Sequence, residues 1–374
     1  MVSDETIGTL TSSLLPSLPN IPVDLIPEIL SRLPVKSLLQ FRCVCKSWKS
    51  LISDPEFAKK HLSHSKTHSI HCISYSRKQP QSHVLKSYSL DSSSVWTKIT
   101  QTQFPSNGFV YFVGSWNGIL CLAEVGLDLV LFRLWNPSIR KFKELPPIRE
   151  PQINFRQPKL MSGFGYDPIS DNYKIVVVFG DFSNYTANND FSENEVKVHT
   201  LGTNSWKSVS KFPFAIVSVQ LLGQYASGTI NWLVSTGIKQ SKRFIASFDL
   251  GNESYQKVLL PDYFEVNAYT QLSVFRDCLC LISGEDVWVM TKYGNKESCT
   301  KLFTISYTRD PRTSSYSWIQ VMYVFEDDQV LLACKGDDLR WKYISYHCKN
   351  DTTNFIEFET NLGVCIESLI SPCF

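Results

Sequence analysis

An Asn/Asp/Gly-rich turn followed by an aromatic or bulky residue recurs along most of this 374-residue chain. It runs from Asp91 to Trp96, Asn136 to Phe142, Gly202 to Trp206, Asn252 to Tyr255, Asn295 to Leu302 and Asn350 to Phe355. The closing residues stand 46, 64, 49, 47 and 53 positions apart, and the long interval holds a polar stretch, 180–194, that reads as an inserted loop. A period in the forties with several short strands per unit is the signature of propeller blades.

The clearest unit predicts four strands. Ser162–Tyr166 is followed by a turn at Asp167-Pro168, then by Tyr173–Val178, Val196–Leu201 and, after Gly202-Thr203-Asn204, Ser205–Val209. The third and fourth alternate, as half-buried strands do, and the second is nearly all β-branched, as a strand covered on both faces is. The first unit, from about Ile70 to Thr100, has room for only three strands, and the C-terminus supplies a lone extra one, Val364–Ile370. Placing that strand in the first blade closes the ring and removes two unpaired sheet edges. The count is then six four-stranded blades, with five or seven as alternatives.

The front of the chain has a different period. Residues 1–19, rich in Ser, Thr and Leu, read as a disordered leader. Asp24 is the expected N-cap of a first helix, with Pro27 in its first turn and Leu25, Ile26, Ile29, Leu30 and Leu33 at helical spacing. Pro34 separates it from a second helix carrying Val35, Leu38, Leu39 and Phe41. A third carries Val44, Trp48, Leu51 and Ile52, and Asp54-Pro55 opens a fourth through about His64. The three core helices span about 32 residues, too few to hold together on their own core. Their surplus of apolar side chains points to a helix-rich partner.

These residues carry a family resemblance. Ile21–Ile26, Glu28–Leu39 and Phe41–Trp48, with the closing Ser53–Phe57, resemble the plant form of the F-box; Ile21 stands where Leu is more usual, and Gln40 where a basic residue is common. Asn117–Leu122, Trp135–Phe142, Gly163–Pro168, Asn204-Ser205-Trp206, Gly228–Trp232, Ser247–Leu250 and Val287–Met290 resemble the F-box-associated domain, often labelled kelch-repeat, although the kelch double glycine is absent. The expected fold is thus α+β and multidomain: a leader at 1–19, a trihelical F-box with a following helix at 20–64, and an all-β propeller at 68–372. The resemblance implies docking on a Skp-type adaptor, and through it on a cullin scaffold and a RING subunit. Carried over by position, the adaptor surface comprises Pro22, Leu25, Ile29, Leu30, Leu33, Pro34, Val35, Leu38, Leu39, Val44, Cys45, Trp48 and Leu51, some of which must be the module's own core. The function implied is substrate recognition for a ubiquitin ligase. The alternative is a protein-binding propeller scaffold outside ubiquitination.

An unknown protein target is expected on one propeller rim, through loops 149–159, 180–194, 261–269 and 309–316. Arg149, Phe155, Arg156, Tyr263, Phe264, Arg309 and Arg312 are the candidate contacts, because Arg and aromatic side chains are the usual interface anchors.

Other classes find little support. The 37 basic and 35 acidic side chains nearly cancel, leaving no electrostatic footprint for nucleic acid. No run of 18 apolar residues predicts a membrane span. Met1–Thr9 has no basic cluster and does not resemble a secretory signal. Eleven cysteines without a C-x-x-C pair read as reduced thiols, which suits the cytoplasm and/or nucleus. His61, His64, His68 and His71 with Cys72 read as a polar linker face rather than a metal site, and no cofactor is expected. No G-x-S-x-G, H-E-x-x-H or phosphate-binding loop appears, so the chain is expected to be a non-catalytic subunit. Asp167 and Asp171 read as turn residues, and the recurrent aromatics as packing between blades.

Overall fold

The computed structural model describes residues 22–64, 70–79, 82–90, 96–105, 109–126, 129–149, 159–180, 194–214, 217–218, 220–236, 242–264, 270–305, 316–324, 329–336, 341–350, 352–356 and 362–373. The expected leader lies outside them. The chain divides into two compact units, Met1–Lys66 and Thr67–Phe374.

The first unit holds α1 (Leu25–Leu30), α2 (Val35–Phe41), α3 (Lys46–Ile52) and α4 (Pro55–His64). Asp24 occupies the N-cap of α1, but its side chain makes no capping bond; the Leu25 N–H instead reaches the Pro22 carbonyl at 3.0 Å. Asp54 does cap α4, accepting from the Phe57 N–H at 3.0 Å. The fourth helix fastens the small unit. Lys60 Nζ reaches Glu28 at 2.5 Å, His61 Nε2 donates to the Leu33 carbonyl at 2.9 Å, and Ser31 Oγ pairs with His64 Nδ1 at 3.1 Å. Leu30, Val35, Leu38 and Ile52 are buried, as are Phe57 and Ala58 of α4, so part of the surplus apolar surface is used internally.

The second unit is an all-β propeller. Among the described residues its strands pair into six antiparallel sheets. The first joins β1 (Ile70–Gln79), β2 (Ser82–Leu90) and β3 (Trp96–Pro105), and the second β4 (Phe109–Trp116), β5 (Ile119–Val125), β6 (Leu129–Asn136), β7 (Lys141–Glu144) and β8 (Ile148–Arg149). The third has β9 (Lys159–Asp167), β10 (Asn172–Gly180), β11 (Glu195–Thr200) and β12 (Lys207–Val209). In the fourth are β13 (Val217–Ser218), β14 (Gln224–Ala226), β15 (Thr229–Thr236), β16 (Lys242–Asp249) and β17 (Ser254–Leu259). The fifth has β18 (Gln271–Phe275), β19 (Cys278–Ser283), β20 (Asp286–Met290) and β21 (Cys299–Thr304). The sixth has β22 (Tyr316–Val324), β23 (Gln329–Gly336), β24 (Trp341–His347) and β25 (Thr352–Ile356). The second and fourth sheets hold five strands where four were expected, because β8 pairs with β6 and β14 with β15.

The last strand, β26 (Leu362–Ile366), pairs antiparallel with β1, Cys72 facing Val364. This is the closing strand expected from sequence, although it ends at Ile366 rather than Ile370. Beyond it the backbone leaves the ladder and latches onto the second sheet. Asn136 Nδ2 donates to the carbonyls of Ser368 (3.1 Å) and Ile370 (2.7 Å), and Ser368 Oγ donates to the Asn117 carbonyl at 2.6 Å. Gly118, with φ +78°, faces the same serine, and a Cβ there would strike it. The edge strands β26, β4, β9, β14, β18 and β22 touch in cyclic order. Residues from all six line an axial cavity of about 980 Å³.

The recurrent turn aromatics do pack between sheets in three units. Trp206 lies 5.2 Å from Phe132 of the second sheet and donates to the Pro146 carbonyl at 2.7 Å. Tyr255 meets Phe212 at 5.5 Å and donates to the Ser210 carbonyl at 2.8 Å. Phe142 packs against a cluster containing Cys365 of β26. Leu302 and Phe355 depart from the pattern, each 37% exposed. Asp167 is a turn residue, accepting from the Ile169 N–H at 2.9 Å, and it also pairs with buried Lys174 at 3.0 Å.

His199 of β11 is buried against Trp206, ring centroids 5.0 Å apart. Burial first, with Lys143 adding repulsion, pushes its pKa down to about 4 against a bond with the Thr203 backbone. Its neutral form is therefore selected by folding. The associated stability is complete above the unfolded value near 6.5 and is lost as pH falls through 4. We expect urea unfolding of the propeller to lose about 3 kcal/mol over that window through this group, and His199→Asn to abolish that component. Unchanged pH dependence in the variant contradicts the assignment.

Candidate functional site

Two surfaces carry the residues singled out by sequence. On the helical unit, Pro22, Pro34 and Cys45 are exposed, Leu25 is 49%, Ile29 46% and Val44 62% exposed. Leu25 and Ile29 lie one turn apart, so they share a face of α1. Leu33, Leu39, Trp48 and Leu51 are half-buried, with Trp48 edge-on to Phe41 at 5.5 Å. Leu30, Val35 and Leu38, expected at the adaptor surface, are instead core: they are 2%, 1% and 0% exposed. Val23, outside the expected set, is 78% exposed. An apolar side chain ahead of a helix has no intrahelical neighbour to cover it.

Cys45 precedes α3, and its thiol lies 3.1 Å from Ser47 Oγ. That hydroxyl first, then the Trp48 and Ser47 backbone N–H groups, lower its pKa. His61 and His64, considered for a metal cluster, bond instead to Leu33 and Ser31. Among the described residues no group of three His, Cys, Asp or Glu could hold a metal. His68 lies outside them.

On the propeller, Arg149 is exposed at the end of β8. Tyr263 is 55% exposed, its ring 5.6 Å from Trp288 and its hydroxyl donating to the Cys299 carbonyl at 2.8 Å. Phe264 corrects the sequence reading. It is 8% exposed and belongs, with Leu260, Leu279 and Met290, to the buried cluster shared by the fourth and fifth sheets, so it serves the core rather than a target. Phe155, Arg156, Arg309 and Arg312 lie outside the described residues.

No helix among the described residues is long and apolar enough to cross a membrane. The cysteines described are all free thiols, and burial pushes Cys280 and Cys334 up to about 12.

Comparison with known proteins agrees with this division. The F-box domain model matches residues 18–60, and the F-box associated beta propeller domain model matches residues 60–364. An F-box/kelch-repeat protein from Arabidopsis thaliana is 28% identical over 373 residues, covering 94% of this chain and 96% of the relative. F-box protein CPR1 from Arabidopsis thaliana is 30% identical over 350 residues, covering 86% of this chain and 81% of that protein. Among solved structures, TolB from Acinetobacter baumannii is similar with a TM-score of 0.41 and 11% identity, covering 83% of this chain and 71% of that one. The chain belongs to the plant F-box proteins that carry an F-box-associated β-propeller domain.

Proposed function

We propose that this chain is the substrate-recognition subunit of a Skp–cullin–F-box ubiquitin ligase. The helical unit docks on a Skp-type adaptor, which connects it to the cullin and the RING subunit. The observation that carries this reading is the apolar side chains at and before α1 that remain exposed in a module too small to waste them: Val23, Leu25 and Ile29, with Val44 ahead of α3. Pro22, Pro34 and Cys45 border them, and the half-buried Leu33, Leu39, Trp48 and Leu51 form the second tier of the same docking surface. Bond formation is left to the thioester-bearing conjugating enzyme, and the receptor supplies proximity. Free thiols suit the reducing cytoplasm or nucleus where such a complex works.

Each sheet is one blade of a six-bladed ring in this proposal. The cyclic contacts of the six edge strands and the β26–β1 pairing support the count. The target binds the rim formed by the inter-blade loops, with Tyr263 and Arg149 as exposed anchors and Arg156, Arg309 and Arg312 on neighbouring loops. Combined Arg156→Ala, Tyr263→Ala and Arg312→Ala replacement is expected to weaken target capture at least 10-fold without changing adaptor binding, as read by proximity labelling under proteasome inhibition alongside adaptor pull-down. Undiminished capture by the triple variant removes the rim from the proposal. Target capture with no adaptor binding at all favours a propeller scaffold outside ubiquitination.

A further inference from the structure

The axial cavity has properties that a solvent-filled channel does not need. Its only charged lining residues among those described are Arg276 and Asp277, neighbours on one turn. Asp277 already accepts from the Ser227 N–H at 2.9 Å, and the Arg276 guanidinium lies over the Phe275 ring at 4.8 Å. These two opposite charges are adjacent, so together they give the wall no net charge.

Its polar side chains are largely engaged with the protein itself. Gln220 is used at both ends, its Oε1 accepting from the Leu272 N–H at 3.0 Å and its Nε2 donating to the Leu272 carbonyl at 2.9 Å. Ser115 Oγ donates to the Val364 carbonyl at 2.6 Å, and the Tyr225 hydroxyl donates to the Tyr166 carbonyl at 2.8 Å. Burial and the Asp277 charge raise the Tyr225 pKa, so that hydroxyl stays a neutral donor. What Tyr225 presents to the cavity is its ring, set edge-on to Trp116 at 4.4 Å. Leu221 and Ile366, also on the wall, are 38% and 36% exposed.

A water molecule is held well only where two to four polar partners converge. Gln220, Ser115 and Tyr225 have spent their polar atoms internally, and aromatic and aliphatic side chains border a space of about 980 Å³. That volume lies at the upper end of the range of small-molecule sites, which are mostly apolar with few polar groups. We propose that the axial cavity binds a neutral, ring-bearing, predominantly apolar small molecule, with its ring against the Trp116–Tyr225 pair and its aliphatic part against Leu221 and Ile366. Neutrality follows from the mutual cancelling of the adjacent Arg276 and Asp277 charges on the wall. A ring follows from the edge-to-face aromatic pair, inclined at 64°, which offers both an edge and a face. The site is independent of adaptor docking, so either proposal can fail alone.

The test uses the purified full chain and N-phenyl-1-naphthylamine, a neutral ring-bearing probe whose emission rises in apolar surroundings. We expect saturable binding of one probe per chain, quenching of tryptophan fluorescence, and a thermal midpoint that rises with probe concentration. Leu221→Trp fills the cavity from a partly exposed position, and Ile366→Asp places a charge on its wall. Each should weaken the probe at least 10-fold while the ligand-free melting temperature is kept. The anionic analogue 1-anilinonaphthalene-8-sulfonate should bind at least 10-fold more weakly than the neutral probe. Absent or non-saturable binding overturns the proposal, as does equal affinity in both folded variants. Capture in the cavity of an apolar peptide, such as acetyl-Trp-Leu-Trp-amide, by a chain that refuses the neutral probe assigns the space to a protein segment and also overturns it.

Discussion

Replacing Leu25 and Ile29 together by Asp should lower affinity for a Skp-type adaptor at least 100-fold, a loss of about 3 kcal/mol, while leaving the helical unit folded. Both side chains are already about half exposed, so the free chain loses little packing. In the complex each would otherwise bury the remaining apolar area, on the order of 1 kcal/mol per residue. The carboxylates that replace them must also be desolvated, which costs more. Leu30→Asp and Leu38→Asp are not equivalent probes. Those side chains are 2% and 0% exposed, and a charge there should unfold the module before any partner is met. Circular dichroism melts beside calorimetric titration of the adaptor separate the two outcomes. Wild-type affinity in the folded double variant would remove α1 from the docking surface.

Truncation of residues 362–374 should prevent the propeller from forming a cooperatively folded unit. The deletion takes β26 from the first sheet, exposes the edge of β1 and removes the Ser368–Asn136 latch. It also uncovers Trp135 and Leu120, which pack with Cys365. Lost ladder bonds, an open edge and an uncovered apolar cluster act on the same side of the ring. Supplying the missing segment as a free peptide should partly restore a sharp thermal transition. Asn136→Ala is the milder form, leaving the strand but removing donors to the Ser368 and Ile370 carbonyls, and should cost roughly 1–3 kcal/mol. A truncated chain that melts as sharply and as late as the intact one contradicts ring closure by β26.

The closing strand was legible because an unpaired β-rich segment at one end matched a unit one strand short at the other. The recurrent turns were legible for a local reason: positive φ at Arg140, Gly202 and Glu253 falls where Asn/Asp/Gly-rich punctuation marks the chain. β8 and β14 were not legible. Strands of two and three residues have no measurable alternation, and only tertiary placement against β6 and β15 makes them strands. The helical unit shows the same limit. Ile29 and Leu30 are adjacent and equally apolar, yet one is 46% and the other 2% exposed. Helical period assigns them to neighbouring faces, but which face is covered depends on where α4 lies. Tyr263 and Phe264 divide in the same way, one on the surface beside Trp288 and one in the core, within a segment too short to carry a period. His199, buried against Trp206, is a structural strand histidine.

Mixing the purified full chain with a plant Skp-type adaptor and measuring molar mass by light scattering on a sizing column tests the central claim most directly. The account gives a single peak at the mass of one chain plus one adaptor, split into two by Leu25→Asp/Ile29→Asp. A well-folded, monodisperse chain that elutes apart from every such adaptor offered would contradict it.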